Sequence, residues 1–154
     1  MTSCWHSLAL GVIAAVPVRL QAQQVLELGA QALVATSEPA LVIGGAYAAL
    51  RPAARARVAA TLGAGVSDGR AAARGELLAH FLLSPAATRR AGAYVGGGLA
   101  GVVGPVDQGY IVILAGLESA PGARSGWAIE AGVGGGVRLT AGWRWRWRAH
   151  GARK

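Results

Sequence analysis

Along most of this chain, polarity changes at every second residue, the pattern of strands whose side chains point alternately to opposite faces. The last such segment is the clearest. From Val137 to Arg148, the residues Val137, Leu139, Ala141, Trp143, Trp145 and Trp147 share one face, and Arg138, Thr140, Gly142, Arg144, Arg146 and Arg148 share the other. Coiled into a helix, the same residues would put Trp and Arg on every side. Residues 25–34 set Leu26, Leu28, Ala30, Ala32 and Val34 against Glu27, Gly29 and Gln31, and residues 57–66 set Val58, Ala60, Leu62, Ala64 and Val66 against Arg57, Thr61, Gly63 and Gly65. Residues 74–83 place Leu77, Ala79, Phe81 and Leu83 opposite Arg74, Glu76 and His80. Residues 89–102 place Ala91, Ala93, Val95 and Leu99 opposite Arg90, Gly92, Tyr94, Gly96 and Gly98, and residues 127–133 place Trp127, Ile129, Ala131 and Val133 opposite Glu130 and Gly132. Residues 40–50 and 109–118 are apolar on both faces, and their length, Tyr and β-branched content and flanking breakers predict two more strands.

Short breakers separate these eight segments. Pro52, Pro85 and Pro121 each precede an arginine by a few residues (Arg55, Arg89 and Arg124), and between them lie Ser37-Glu38-Pro39, Ser67-Asp68-Gly69, Gly104 to Gly109 and Gly134-Gly135-Gly136. Short connections of Gly, Pro, Asp and Ser between neighbouring strands predict an antiparallel meander, and closing it removes both exposed edges. The predicted fold is all-β, an eight-stranded antiparallel up-and-down β-barrel. Alternation does not say which face lies inside. A soluble barrel would bury the apolar face and could hold an apolar ligand there, whereas a membrane barrel turns that face to lipid. Trp127, Trp143, Trp145 and Trp147 on one face would overfill the narrow interior of an eight-stranded barrel, but they suit a lipid-facing wall with an aromatic band. The Gly-rich opposite face suits a crowded interior, so the transmembrane reading is favoured.

Composition narrows this further. With 154 residues, 24 of them Gly, 53% hydrophobic and 14% charged, the chain is too apolar for a disordered tail and too Gly-rich for a helical bundle. Fifteen Lys and Arg against seven Asp and Glu give a formal charge of +8, which suits acidic partners without choosing among them. The apolar run from Leu8 to Val18 is too short for a transmembrane helix, and with a small residue at Ala22 it reads as a signal peptide over residues 1–22. The barrel is then expected over 23–148, followed by a basic tail at 149–154. The sole cysteine, Cys4, falls in the signal, so the remainder offers no disulfide or cysteine metal site.

The segment Thr140-Ala141-Gly142-Trp143-Arg144-Trp145-Arg146-Trp147 resembles the terminal-strand signal of bacterial outer-membrane β-barrels, in which a polar residue, a glycine and two alternating aromatics are read by the insertion machinery. With an export signal and eight strands, the chain is similar to the small barrels of the outer-membrane protein A and X type. The resemblance implies a bacterial outer-membrane location, Thr140, Gly142, Trp145 and Trp147 as the assembly signal, and outer-membrane lipids and the barrel-insertion machinery as partners. It also implies a monomer with a structural or envelope-integrity role. The short loops argue against adhesion or receptor roles.

Inward-facing charge follows from the same parity. Arg138 and Arg144, with Arg146 next on their face, would meet Glu27, Glu76 and Glu130 in a confined lumen shared with Arg57, Arg74 and Arg90. Each carboxylate is expected to be divided among several guanidinium groups, because unpaired buried charge is costly. Such a lumen is filled by side chains; the competing porin-like reading is a narrow anion path. No catalytic residue, cofactor or metal site is predicted. A Ser–His–acid set of His80, Ser84 or Ser67 and Glu76 lacks the local motifs of the lipid-modifying barrel enzymes, and His80 and His150 stand apart from other ligands. The Trp143–Arg148 run could stack bases and neutralise phosphate, but export removes nucleic acid from reach, so no nucleic-acid partner is expected.

Overall fold

The structure, a computed structural model, describes residues 25–148; the expected signal peptide at 1–22 and the basic tail at 149–154 lie outside the described residues. Eight strands run β1 (Val25–Ala35), β2 (Leu41–Ala53), β3 (Ala56–Ser67), β4 (Arg70–Leu82), β5 (Ala91–Val103), β6 (Gln108–Ser119), β7 (Ser125–Val133) and β8 (Val137–Arg148). Each pairs antiparallel with its sequence neighbours, and β8 returns to β1 to close the barrel. The all-β, up-and-down architecture expected from the polarity pattern is the observed fold.

The ends of the strands show what the turns require. Asp68 and Gly69 have φ of 51° and 68°, and Ser67 pairs directly with Arg70, so two left-handed residues complete the β3–β4 hairpin. An Asp-Gly pair adopts that backbone readily, and its twist matches the flanking strands. The turn is therefore shorter, and β4 starts four residues earlier, than the apolar alternation predicted. At the other end of β2, the register with β3 shifts between Leu50 and Ala53, where Pro52 has no N–H to give the ladder. The seams are unequal. β1 and β8 pair over eleven positions, from Val25 with Arg148 to Ala35 with Arg138, whereas β6 and β7 pair over six, from Ile113 with Val133 to Glu118 with Ala128.

The barrel has its polarity inside out relative to a water-soluble protein. Leu62 is 70% exposed and Ile111 75%, and large apolar residues stand outward on all eight strands. The inward face holds Glu27, Arg57 and Arg138, none more than 1% exposed. Apolar residues also enter the lumen in two groups. Leu33, Ala35, Leu41, Ile43 and Ala72, with Val102 against them, fill the mouth furthest from Val25 and Arg148, while Tyr47, Ala49, Ala59, Leu78, Leu82, Tyr94, Val112 and Leu114 form a longer inner cluster. Gly116 makes room for one of these: a Cβ there would collide with the ring of Tyr94.

Candidate functional site

Parity alone brings the buried charges together, since every second residue of a barrel strand enters the same narrow lumen. At the end carrying Val25 and Arg148, Glu27 of β1 pairs with Arg51 of β2 and lies 3.5 Å from Arg57 of β3 and 3.7 Å from Arg146 of β8. Glu118 of β6 faces the same arginines, with Nη1 of Arg57 at 2.8 Å, Nη2 of Arg146 at 3.0 Å and Nη2 of Arg51 at 3.5 Å. Arg144 carries the network inward, reaching Glu118 at 3.5 Å and Glu130 of β7 at 2.6 Å. Arg138 extends it from Glu130 at 3.5 Å to Glu76 of β4 at 3.0 Å, and Arg74 closes on Glu76 at 2.8 Å. The result is one Arg–Glu ladder along the lumen.

Neutral groups hold the ladder in place. The Tyr94 hydroxyl donates to Glu130 at 2.8 Å, and Arg144 also reaches the Tyr94 oxygen at 3.3 Å. The guanidinium of Arg144 lies 4.2 Å from the Tyr47 ring centre, and that of Arg57 lies 4.5 Å from the Tyr94 ring, where aromatic faces accept part of the positive charge. Six buried arginines face four buried glutamates, so even a connected ladder leaves cationic N–H groups over. Arg57 Nη2 and Arg138 Nη1 make no hydrogen bond within the described residues. A void of about 10 Å³ beside Arg74 and Glu76 is near the size of one water.

Seven of the eight charges expected in the lumen are brought together there: Glu27, Arg57, Arg74, Glu76, Glu130, Arg138 and Arg144. Arg90 is not. It has inward parity, but β5 begins only at Ala91, and beyond the strand end the chain turns across the rim and leaves Arg90 exposed. Arg51 and Glu118 also belong to the ladder, although the polarity pattern does not single them out. Arg51 stands beside Pro52 and reads as a turn residue, although it continues the parity of Tyr47 and Ala49; Glu118 continues the parity of Val112, Leu114 and Gly116 in a segment that looks apolar on both faces. Arg146 is buried as well.

Of the assembly residues, Thr140 is buried and its hydroxyl accepts from Arg138 at 3.0 Å, while Gly142 is inward and half-buried. Trp145 and Trp147 stand outward, 45% and 50% exposed. A Cβ at Gly142 would lie 2.6 Å from the Ala30 carbonyl oxygen, so the glycine lets β8 close on β1. His80 is buried with its Nδ1 accepting from Arg57 at 3.1 Å, and Ser67 donates to the Pro39 carbonyl at the opposite mouth, so neither is set up as half of a Ser–His pair. No cluster of His, Cys, Asp or Glu suited to a metal occurs among the described residues.

No family model matches the chain, and no curated protein does. Among solved structures it is similar to the N-terminal β-barrel domain of OprF from Pseudomonas aeruginosa, with a TM-score of 0.69 and 15% identity over 82% of this chain and all of that domain. It is also similar to Neisserial surface protein A, NspA, with a TM-score of 0.52 and 15% identity over 79% of this chain and 96% of that one. Likeness at this identity is a likeness of fold, and that fold is the closed eight-stranded barrel that the alternation and the breakers predict.

Proposed function

We propose that this chain is a bacterial outer-membrane β-barrel with a structural, envelope-stabilising role and a lumen closed by its own side chains. The observation that carries the reading is the inverted polarity: large apolar residues project outward on every strand, while ten charged side chains are buried inside. In water such a surface would be an aggregation liability, and in a bilayer it is the required wall. A soluble barrel holding an apolar ligand would need the opposite arrangement. The Arg–Glu ladder favours a closed lumen over an anion path, because conduction needs charges that face water rather than one another. Outer-membrane lipids are the partners of the outward wall, and the monomer needs no nucleic acid. Recovery in the outer-membrane fraction, with gel mobility that changes on boiling, is the expected result; a monomer soluble without detergent would overturn the reading.

The insertion machinery is the second proposed partner, through Thr140, Gly142, Trp145 and Trp147. Polar and glycine positions turned inward, with aromatics outward at the end of the closing strand, support that assignment. Replacing Trp145 and Trp147 together with Ala is expected to cut the folded, membrane-inserted fraction severalfold and to leave unfolded material in the periplasm. Unchanged insertion would remove the assignment.

A further inference from the structure

The two rims of the barrel carry opposite charge. At the rim where Val25 and Arg148 end, five arginines are exposed: Arg55 in the β2–β3 turn, Arg89 and Arg90 between β4 and β5, Arg124 between β6 and β7, and Arg148 itself. None of the five pairs with a carboxylate among the described residues. The exposed acids Glu38, Asp68 and Asp107 all lie at the opposite rim, where Arg70 is the exposed arginine, and the other four acids are in the lumen.

The basic rim is also built rather than loose. The Arg55 carbonyl accepts from Leu82 N–H at 2.8 Å, that of Arg90 from Ala120 N–H at 3.1 Å and that of Arg124 from Arg146 N–H at 2.7 Å. Each turn is thus stitched to a neighbouring strand or, at Arg90, to the β6–β7 connection, through the backbone of an arginine whose side chain stays in the open. The β4–β5 and β6–β7 connections are joined in turn, Gly122 N–H donating to the Ala87 carbonyl at 2.8 Å, and Arg148 binds the Gly122 carbonyl at 2.8 Å. On the β7–β8 wall that leads to this rim, Trp127, Trp143, Trp145 and Trp147 stand outward, 39–50% exposed.

Resting on the membrane reading above, we infer that this rim docks the phosphate headgroups of anionic phospholipids. Indole rings favour the boundary between headgroups and hydrocarbon, which sets the arginines beyond them at the level of the phosphates. A guanidinium offers phosphate a planar, two-pronged set of donors, and several of them together select lipids whose phosphate charge no ammonium cancels. A polyanion in solution would not need the tryptophans next to the arginines; a lipid leaflet uses both.

The test inserts the full chain into phosphatidylcholine vesicles containing brominated phosphatidylglycerol or, separately, brominated phosphatidylcholine, and reads Trp quenching. Wild type is expected to favour the anionic lipid about fivefold or more. The combined Arg55→Gln, Arg89→Gln, Arg90→Gln and Arg124→Gln variant should bring the ratio close to one, while Arg70→Gln at the other rim leaves it unchanged. A wild-type ratio of one, or a preference that survives the four substitutions, overturns the inference while leaving the membrane reading standing. Absence of quenching by either lipid overturns both. Retention on insoluble cell-wall glycan that depends on the same four arginines, without any lipid preference, would assign the rim to another polyanion and overturn the inference.

Discussion

The two ends of the lumen are closed by different physics. At the end holding Val25 and Arg148, Glu27 and Glu118 are clamped among Arg51, Arg57 and Arg146; at the other, Leu33, Leu41, Ile43 and Ala72 pack against Val102. An apolar plug gains from water release and tolerates small errors of fit. An ionic plug gains only from charges held close to their partners, because the desolvation of each ion rivals its attraction to a partner. The contrast teaches that buried polarity here is no simple measure of stability: the ionic end is where loss of one atom's charge should be felt most.

Three substitutions sharpen or break that contrast. Glu118→Gln leaves Arg51, Arg57, Arg144 and Arg146 short of a carboxylate and should cost about 3–5 kcal/mol, measured by urea unfolding in detergent. No loss would mean that the ionic end is wet. Leu33→Ala opens a cavity in the apolar plug and should cost about 2–4 kcal/mol by the same assay; a larger loss than that of Glu118→Gln would reverse the ranking of the two ends. Glu130→Gln, at the middle of the ladder, keeps an acceptor oxygen for the Tyr94 hydroxyl and Arg144 but loses its charge and turns an NH2 group toward Arg138, so a loss of about 1–3 kcal/mol is expected. Equal losses at Glu118 and Glu130 would show that the ladder acts as one body without a stronger end.

The two ends also differ in how much of them the sequence discloses. Strand number, order and inward parity are legible because Arg, Glu and Gly alternate with Val, Leu and Trp in β1, β3 and β8. In β2 the apolar plug is hidden, since Leu41 and Ile43 point inward and Val42 outward without any change in polarity. At the ionic end, Glu27, Arg57 and Arg144 are readable, but Arg51 and Glu118 sit at strand ends beside turn residues, where a charge reads as solvated. Arg90 errs the other way, because parity predicts a direction only while the strand lasts. Which carboxylate each arginine takes depends on the stagger between strands, a property of the closed barrel that no single strand carries.

The inequality of the seams bears on how the barrel comes apart. The join between chain ends, β1 with β8, is among the longest, whereas β6 and β7 share six paired positions and the latter strand has only nine residues. Opening is governed by the cheapest local break rather than by the order in which the chain was closed. Amides between Ile113 and Glu118 that face β7 should therefore exchange with solvent deuterium sooner than those along β1, so the wall yields at an internal strand pair while the weld that made it a cylinder stays shut.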